Sequence, residues 1–169
     1  MSPLLKGPGR KDTSKPYLWA YRGGNNVVFD YQQTRGGYHA QQFLQGFKGH
    51  LQTDAYSGYH FTEKINDIVH LGCMAHARRP FAQLAELTKK EGIATKALLY
   101  FKALYAIEPY ARDNNLSSEA RHKLRNEKAP PILDEFKDWL FQHVTKVPKQ
   151  HQLGKAIYYV RNSWEALTN

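Results

Sequence analysis

The alternation of apolar and polar positions changes character near residue 75. Before it, the apolar residues come in short β-branched and aromatic runs: Tyr17-Leu18-Trp19-Ala20-Tyr21, Val27-Val28-Phe29-Asp30-Tyr31 and Ile68-Val69-His70-Leu71-Gly72-Cys73-Met74. Such runs predict strands. The first two flank Arg22-Gly23-Gly24-Asn25-Asn26 and predict a hairpin with a loop of about five residues. A short helix is predicted over 40–47, carrying Phe43, Leu44 and Phe47, and a strand over 50–54 that ends on Asp54 before the turn Tyr56-Ser57-Gly58-Tyr59. With a short helix between that strand and 68–74, the first half reads β-β-α-β-α-β.

Beyond Ala75 the period becomes helical. Phe81, Leu84 and Leu87 mark one helix, and Leu98, Phe101 and Tyr105 mark a second that Pro109 is expected to disturb. Ser117 is a natural N-cap, with Glu119 in the first turn and the basic residues Arg121, Lys123, Arg125 and Lys128 after it. Pro130-Pro131 is expected to restart the chain. Leu133, Phe136, Leu140 and Val144 then share one face, Val147-Pro148 ends that helix, and Leu153, Ile157, Val160, Trp164 and Leu167 form a last stripe. Residues 1–16 read as a flexible basic leader.

A length of 169 residues suits about one domain. There are 24 Lys and Arg against 15 Asp and Glu, a net charge of +9 with neutral histidines, which points to a polyanionic partner. A lone cysteine, Cys73, excludes an internal disulfide, and no apolar run approaches the length of a membrane span or a signal peptide. The expectation is a soluble cytoplasmic protein with no membrane partner.

Asp54 is the sharpest candidate for chemistry, because an acid at a strand end is held rigidly where metal-binding carboxylates of α/β enzymes sit. The same residue could simply shape the turn that follows. His70, Cys73 and His76 have spacings that invite zinc, but strand alternation separates them and no fourth ligand is evident. Arg78 and Arg79, at the start of a predicted helix, and Arg35 in a Gly-rich turn are candidates for phosphate contact, with solvated surface as the plainer alternative. Tyr56, Tyr59 and Trp164 have the means to stack on bases, yet packing is the commoner use of such positions.

The segments Tyr17-Leu18-Trp19-Ala20-Tyr21, Gly46-Phe47-Lys48-Gly49, Leu51-Gln52-Thr53-Asp54-Ala55-Tyr56, Cys73-Met74-Ala75-His76-Ala77-Arg78-Arg79, Leu104-Tyr105-Ala106-Ile107-Glu108, Pro131-Ile132-Leu133 and Leu153-Gly154-Lys155-Ala156-Ile157 resemble, in order, the insertion sequence 66 family of bacterial transposases. The resemblance implies an α/β, RNase H-like mixed sheet, incomplete here, over 17–79, followed by an α-helical insertion over 80–169. It also implies an Asp-Asp-Glu triad that holds two Mg²⁺ or Mn²⁺ ions for phosphoryl transfer on DNA, with transposon ends and target as partners.

Asp54 matches the second Asp of that triad, as catalytic and metal-binding residue. Cys73 and His76 resemble a Cys-x-x-His element that supports the active site, and Arg78, Arg79 and Arg35 stand as candidate DNA contacts. The resemblance is compatible with assembly of further copies and with a nucleoid-associated protein. Two departures matter. The family's first Asp belongs to a strand ahead of the hairpin, where only Asp12 in the leader is present; its Glu follows a Trp-x-x-Leu stretch that here is Trp164-Glu165-Ala166-Leu167, so Glu165 does not inherit the role. The chain therefore reads as a central fragment that is inactive alone, or else as a catalytically dead DNA-binding or regulatory module. Recruitment of Asp30 as a substitute acid has no spacing argument behind it.

Overall fold

The structure, a computed structural model, describes residues 16–54 and 56–169. The elements run β1 (Tyr17–Gly23), β2 (Asn26–Gln32), α1 (Gly37–Phe43), β3 (Gly49–Thr53), a 3-10 helix (Ser57–Lys64), β4 (Ile68–Gly72), α2 (Met74–Thr88), α3 (Ile93–Asp113), α4 (Ser118–Val144), α5 (Gln152–Asn162) and α6 (Trp164–Thr168). The strand-then-helix order matches the change of period in the sequence. The described strands pair as β1 with β2 and β3 with β4, giving two small two-stranded sheets rather than one mixed sheet. The protein is thus a mixed α/β chain dominated by helices. The leader read over residues 1–16 lies, apart from Pro16, outside the described residues, as does Asp12.

Two compact units emerge. One takes residues up to Leu51 together with Tyr56–Val69; the other takes Gln52–Ala55 with His70–Asn169.

In the first unit β1 and β2 are antiparallel, with Trp19 opposite Asp30 and Gly23 opposite Asn26. The connection is Gly24-Asn25 alone, shorter than the five-residue loop that composition suggested. Gly24 has φ +57 while Asn25 stays negative, a sign pattern that matches the twist of the flanking strands, so Arg22, Gly23 and Asn26 join the ladder instead of the loop. Trp19 is buried, with the Tyr59 ring edge-on at 5.9 Å, and Tyr21 stacks on Phe43 of α1 at 3.8 Å. A Cβ on Gly37 would sit 2.2 Å from the Gly58 carbonyl oxygen, so α1 reaches the 3-10 helix only because residue 37 is glycine.

The second unit packs four long helices around Phe81, Phe101, Phe136, Leu140, Ile157 and Val160, all fully buried. Phe136 is the hub, edge-on to Phe101 at 5.2 Å and to Trp164 at 5.7 Å and stacked on Tyr100 at 4.9 Å. Ser117 caps α4 as the sequence predicts, its Oγ accepting from the Ala120 N–H at 3.2 Å. The restart expected at Pro130-Pro131 does not occur, because both prolines lie inside the continuous α4. They are exposed, as are Asn126 and Glu127, so the carbonyls that lose their helical donors turn to water. Pro109 likewise sits inside α3 on its exposed side. Among the described residues no helix is long and apolar enough to cross a membrane.

Candidate functional site

Asp54 follows directly on β3 and is half-buried. Its position is fixed by its neighbour. The Thr53 side chain is buried, its hydroxyl donates to the Asp54 carbonyl oxygen at 2.6 Å, and its Oγ1 lies 2.7 Å from Nε2 of His70 on β4. A hydroxyl has one proton, so with that proton on the Asp54 carbonyl, His70 must supply the Nε2–H. His70 is itself tied down, its carbonyl accepting from the Asn169 side-chain amide at 3.3 Å. The peptide of Asp54 is thereby latched to the neighbouring strand. Sequence reasoning had His70 only as a zinc candidate and missed Thr53; a threonine immediately before a strand-end acid is the signal that could have found it.

Cys73 occupies the N-cap of α2, half-buried and free, with its carbonyl accepting from Ala77 N–H at 3.1 Å. One turn on, Nδ1 of His76 is buried with no hydrogen-bond partner. Arg78 and Arg79 are exposed on the same helix. Tyr105 of α3 comes close to this group. Burial raises its pKa, the Cys73 thiol adds to the rise, and the Arg78 guanidinium opposes it. In the sequence Tyr105 was only one member of an apolar stripe.

Further along α3, Glu108 accepts from Nε of Arg125 on α4 at 2.5 Å, and that bond, with the Arg121 charge nearby, holds its pKa below the usual carboxylate range. Lys128 pairs with Glu127 at 2.9 Å. The basic residues of α4 are therefore partly neutralised, while Nε of Arg121 is buried without a partner.

In the first unit Arg35 lies over the Tyr56 ring, Cζ to ring centre 3.9 Å, and the Tyr56 hydroxyl donates to the Arg35 carbonyl. Tyr56 and Tyr59 pack around Trp19, and Trp164 belongs to the Phe136 cluster, so all three serve as packing residues. Asp30 receives the Gln32 amide on both its oxygens, at 3.0 and 2.9 Å. Glu165 is exposed on α6.

Two divalent cations in a phosphoryl-transfer site need several oxygen donors around them. Among the described residues no group of three or more His, Cys, Asp or Glu side chains could hold a metal ion. The donor set does not fit such a pair of ions, and no metal-dependent step follows from these residues by themselves.

Residues 2–169 match the family described as Transposase IS66 family. The chain belongs to this family. Among curated relatives, the IS66 chain is 32% identical over 154 residues to the uncharacterized protein y4hP of Sinorhizobium fredii, covering 82% of this chain and 28% of y4hP. It is 31% identical over 176 residues to the uncharacterized protein y4qI of the same organism, covering 95% of this chain and 32% of y4qI. The IS66 chain thus spans about a third of the length of these relatives. No solved structure matches it.

Proposed function

We propose that this chain is the middle part of a DNA transposase catalytic domain, with residues 17–79 belonging to an RNase H-like core and 80–169 forming a helical insertion. In this reading Asp54 is the second acid of an Asp-Asp-Glu triad whose other members come from outside the residues present. With them it would hold two Mg²⁺ or Mn²⁺ ions, which supply Lewis-acid activation of the attacking oxygen and the scissile phosphate. Cys73 and His76 support the site, and Arg78, Arg79 and Arg35 contact the phosphates of transposon-end and target DNA. The observation that carries the reading is the family match across the chain together with the latched Asp54 at the end of β3.

In the transposase assembled with its flanking sequence, Asp54→Asn is expected to lower cleavage of transposon-end DNA roughly a thousandfold, about 4 kcal/mol of barrier. The protein should otherwise fold normally by circular dichroism. The 169-residue chain alone is expected to show no Mg²⁺-dependent cleavage. Cleavage by that chain, abolished by Asp54→Ala, would overturn the reading.

A second reading, a DNA-binding or regulatory module without catalysis, is favoured by the net charge of +9 combined with a single candidate carboxylate. Its mark is salt-sensitive DNA binding that ignores both Mg²⁺ and Asp54→Ala, with no recovery of cleavage when the flanking sequence is restored.

A further inference from the structure

The segment from Thr34 to His39 is held far more tightly than an exposed loop requires. Thr34 Oγ1 lies 3.1 Å from the Tyr38 hydroxyl and 2.9 Å from Nε2 of the buried His39. The Tyr38 ring lies directly over Gly36, where a Cβ would sit 2.3 Å from it, and Gly37 is pressed against Gly58. From the other side Tyr56 holds the Arg35 carbonyl through its hydroxyl and the Arg35 guanidinium on its ring face. His39 is buried by this arrangement, but Arg35 stays exposed and Tyr38 keeps 54% of its surface.

Among the described cations that lie over a ring, Arg35 is seated nearest, 3.9 Å from the Tyr56 centre against 5.2 Å for Lys149 and 5.6 Å for Arg161 over Tyr158. Lys48, Arg112, Arg125 and Lys128 each pair with a carboxylate, at 2.8, 3.3, 2.5 and 2.9 Å. Among the described residues no carboxylate pairs with Arg35. Its planar fork of N–H donors is oriented by stacking while its edge and outer face stay open. That arrangement suits a phosphate at the edge and a flat group on the face. Tyr38, whose ring leans on His39 at 3.9 Å and still keeps 54% of its surface, offers a second aromatic platform a few residues away.

We propose that the Thr34–Tyr38 turn is a contact for an unpaired DNA strand, with Arg35 on a phosphodiester and Tyr38 stacked on a base. The proposal rests on the transposase reading for its choice of DNA. The geometry selects an unpaired strand, because the ring faces of a duplex are closed by stacking whereas an open strand offers both groups at once. Ordering Arg35 and Tyr38 beforehand lowers the entropic cost of binding.

The test is fluorescence anisotropy with the full 169-residue chain, using a single strand of about 20 nucleotides and the matching duplex, over about 50 to 300 mM KCl. Arg35→Gln should weaken single-strand binding about tenfold and reduce the log–log salt slope by roughly 0.7. Arg35→Lys should keep the slope but recover only part of the affinity, since an ammonium does not stack. Tyr38→Leu should cost about tenfold on the single strand, leave the slope unchanged and barely alter duplex binding, while Tyr38→Phe, which keeps the ring, retains the affinity. Thermal midpoints confirm that each variant folds; should Tyr38→Leu unfold, the comparison of Arg35→Gln with Arg35→Lys still decides. Single-strand affinity unchanged within about twofold in the Arg35 variants overturns the proposal, and so does an equal loss on duplex and single strand with Tyr38→Leu. EDTA should leave single-strand binding untouched, so a failure of the metal-dependent catalytic reading and a failure of this one give different results.

Discussion

The hydroxyl of Tyr21 is buried without a hydrogen-bond partner, and burial, aided by Tyr59 and Asp30, pushes its pKa up to about 12 from 10.0. The neutral phenol is the form the fold prefers, so its contribution is fully present below pH 10 and is lost as pH rises from there through about 12. Tyr21→Phe keeps the stack on Phe43 and removes the unpaired oxygen. It should leave stability at neutral pH unchanged or raise it by up to about 1 kcal/mol, and it should flatten the fall in stability above pH 10, both readable from urea titrations. Thr53→Val has the opposite character, since it leaves the His70 Nε2–H without the acceptor 2.7 Å away and should cost about 1–3 kcal/mol. The two residues also differ in what sequence could tell. Asp54 announced itself by residue type and by its place at the end of a short predicted strand, whereas the Thr53–His70 bond spans seventeen positions and exists only once β3 and β4 are paired. The same holds for Tyr105, whose approach to Cys73 and Arg78 depends on how α2 lies against α3.

At the level of elements, periodicity located the helices well, and proline was a mixed guide: α4 ends ahead of Val147-Pro148 as expected, whereas Pro109, Pro130 and Pro131 lie inside helices. The stripe Leu133, Phe136, Leu140, Val144 sits inside α4 as its spacing requires, and Phe136 and Leu140 are fully buried. Proline is a reliable breaker only where the helix has nothing else to hold it, and the packing of that stripe outweighs two lost hydrogen bonds on an exposed face. Replacing Pro130 and Pro131 by Ala should therefore stabilise the second unit, by about 1 kcal/mol or more, seen as a higher thermal midpoint. Phe136→Ala should remove about 3–5 kcal/mol, because it empties the centre of the ring cluster formed with Tyr100, Phe101 and Trp164. The hairpin was legible from its aromatic runs, while its loop length was not, since Gly-Gly-Asn-Asn fits several turns and the strand twist chooses among them.

Across the whole sequence the basic excess is spread along the chain, with Lys and Arg from the N-terminal residues to α5 rather than clustered next to Asp54 in sequence. Arg112, Arg125 and Lys128 of α3 and α4 are matched by carboxylates, while among the described residues no ion pair holds Arg78, Arg79 or Arg35. The two compact units also cut across the order of the chain. Passing from N- to C-terminus, the backbone changes unit after Leu51, returns after Ala55 and changes again after Val69. The short piece carrying Thr53 and Asp54 is thus grouped with helices that begin twenty residues later in the sequence. A protease that cuts once cannot release either unit whole: a nick after Val69 would leave Thr53 and Asp54 on a different fragment from the long helices of their own unit, with the Thr53–His70 bond running between the two pieces. Comparing how well the nicked protein and its Thr53→Val variant keep their two fragments together on a sizing column reads how much that small latch contributes.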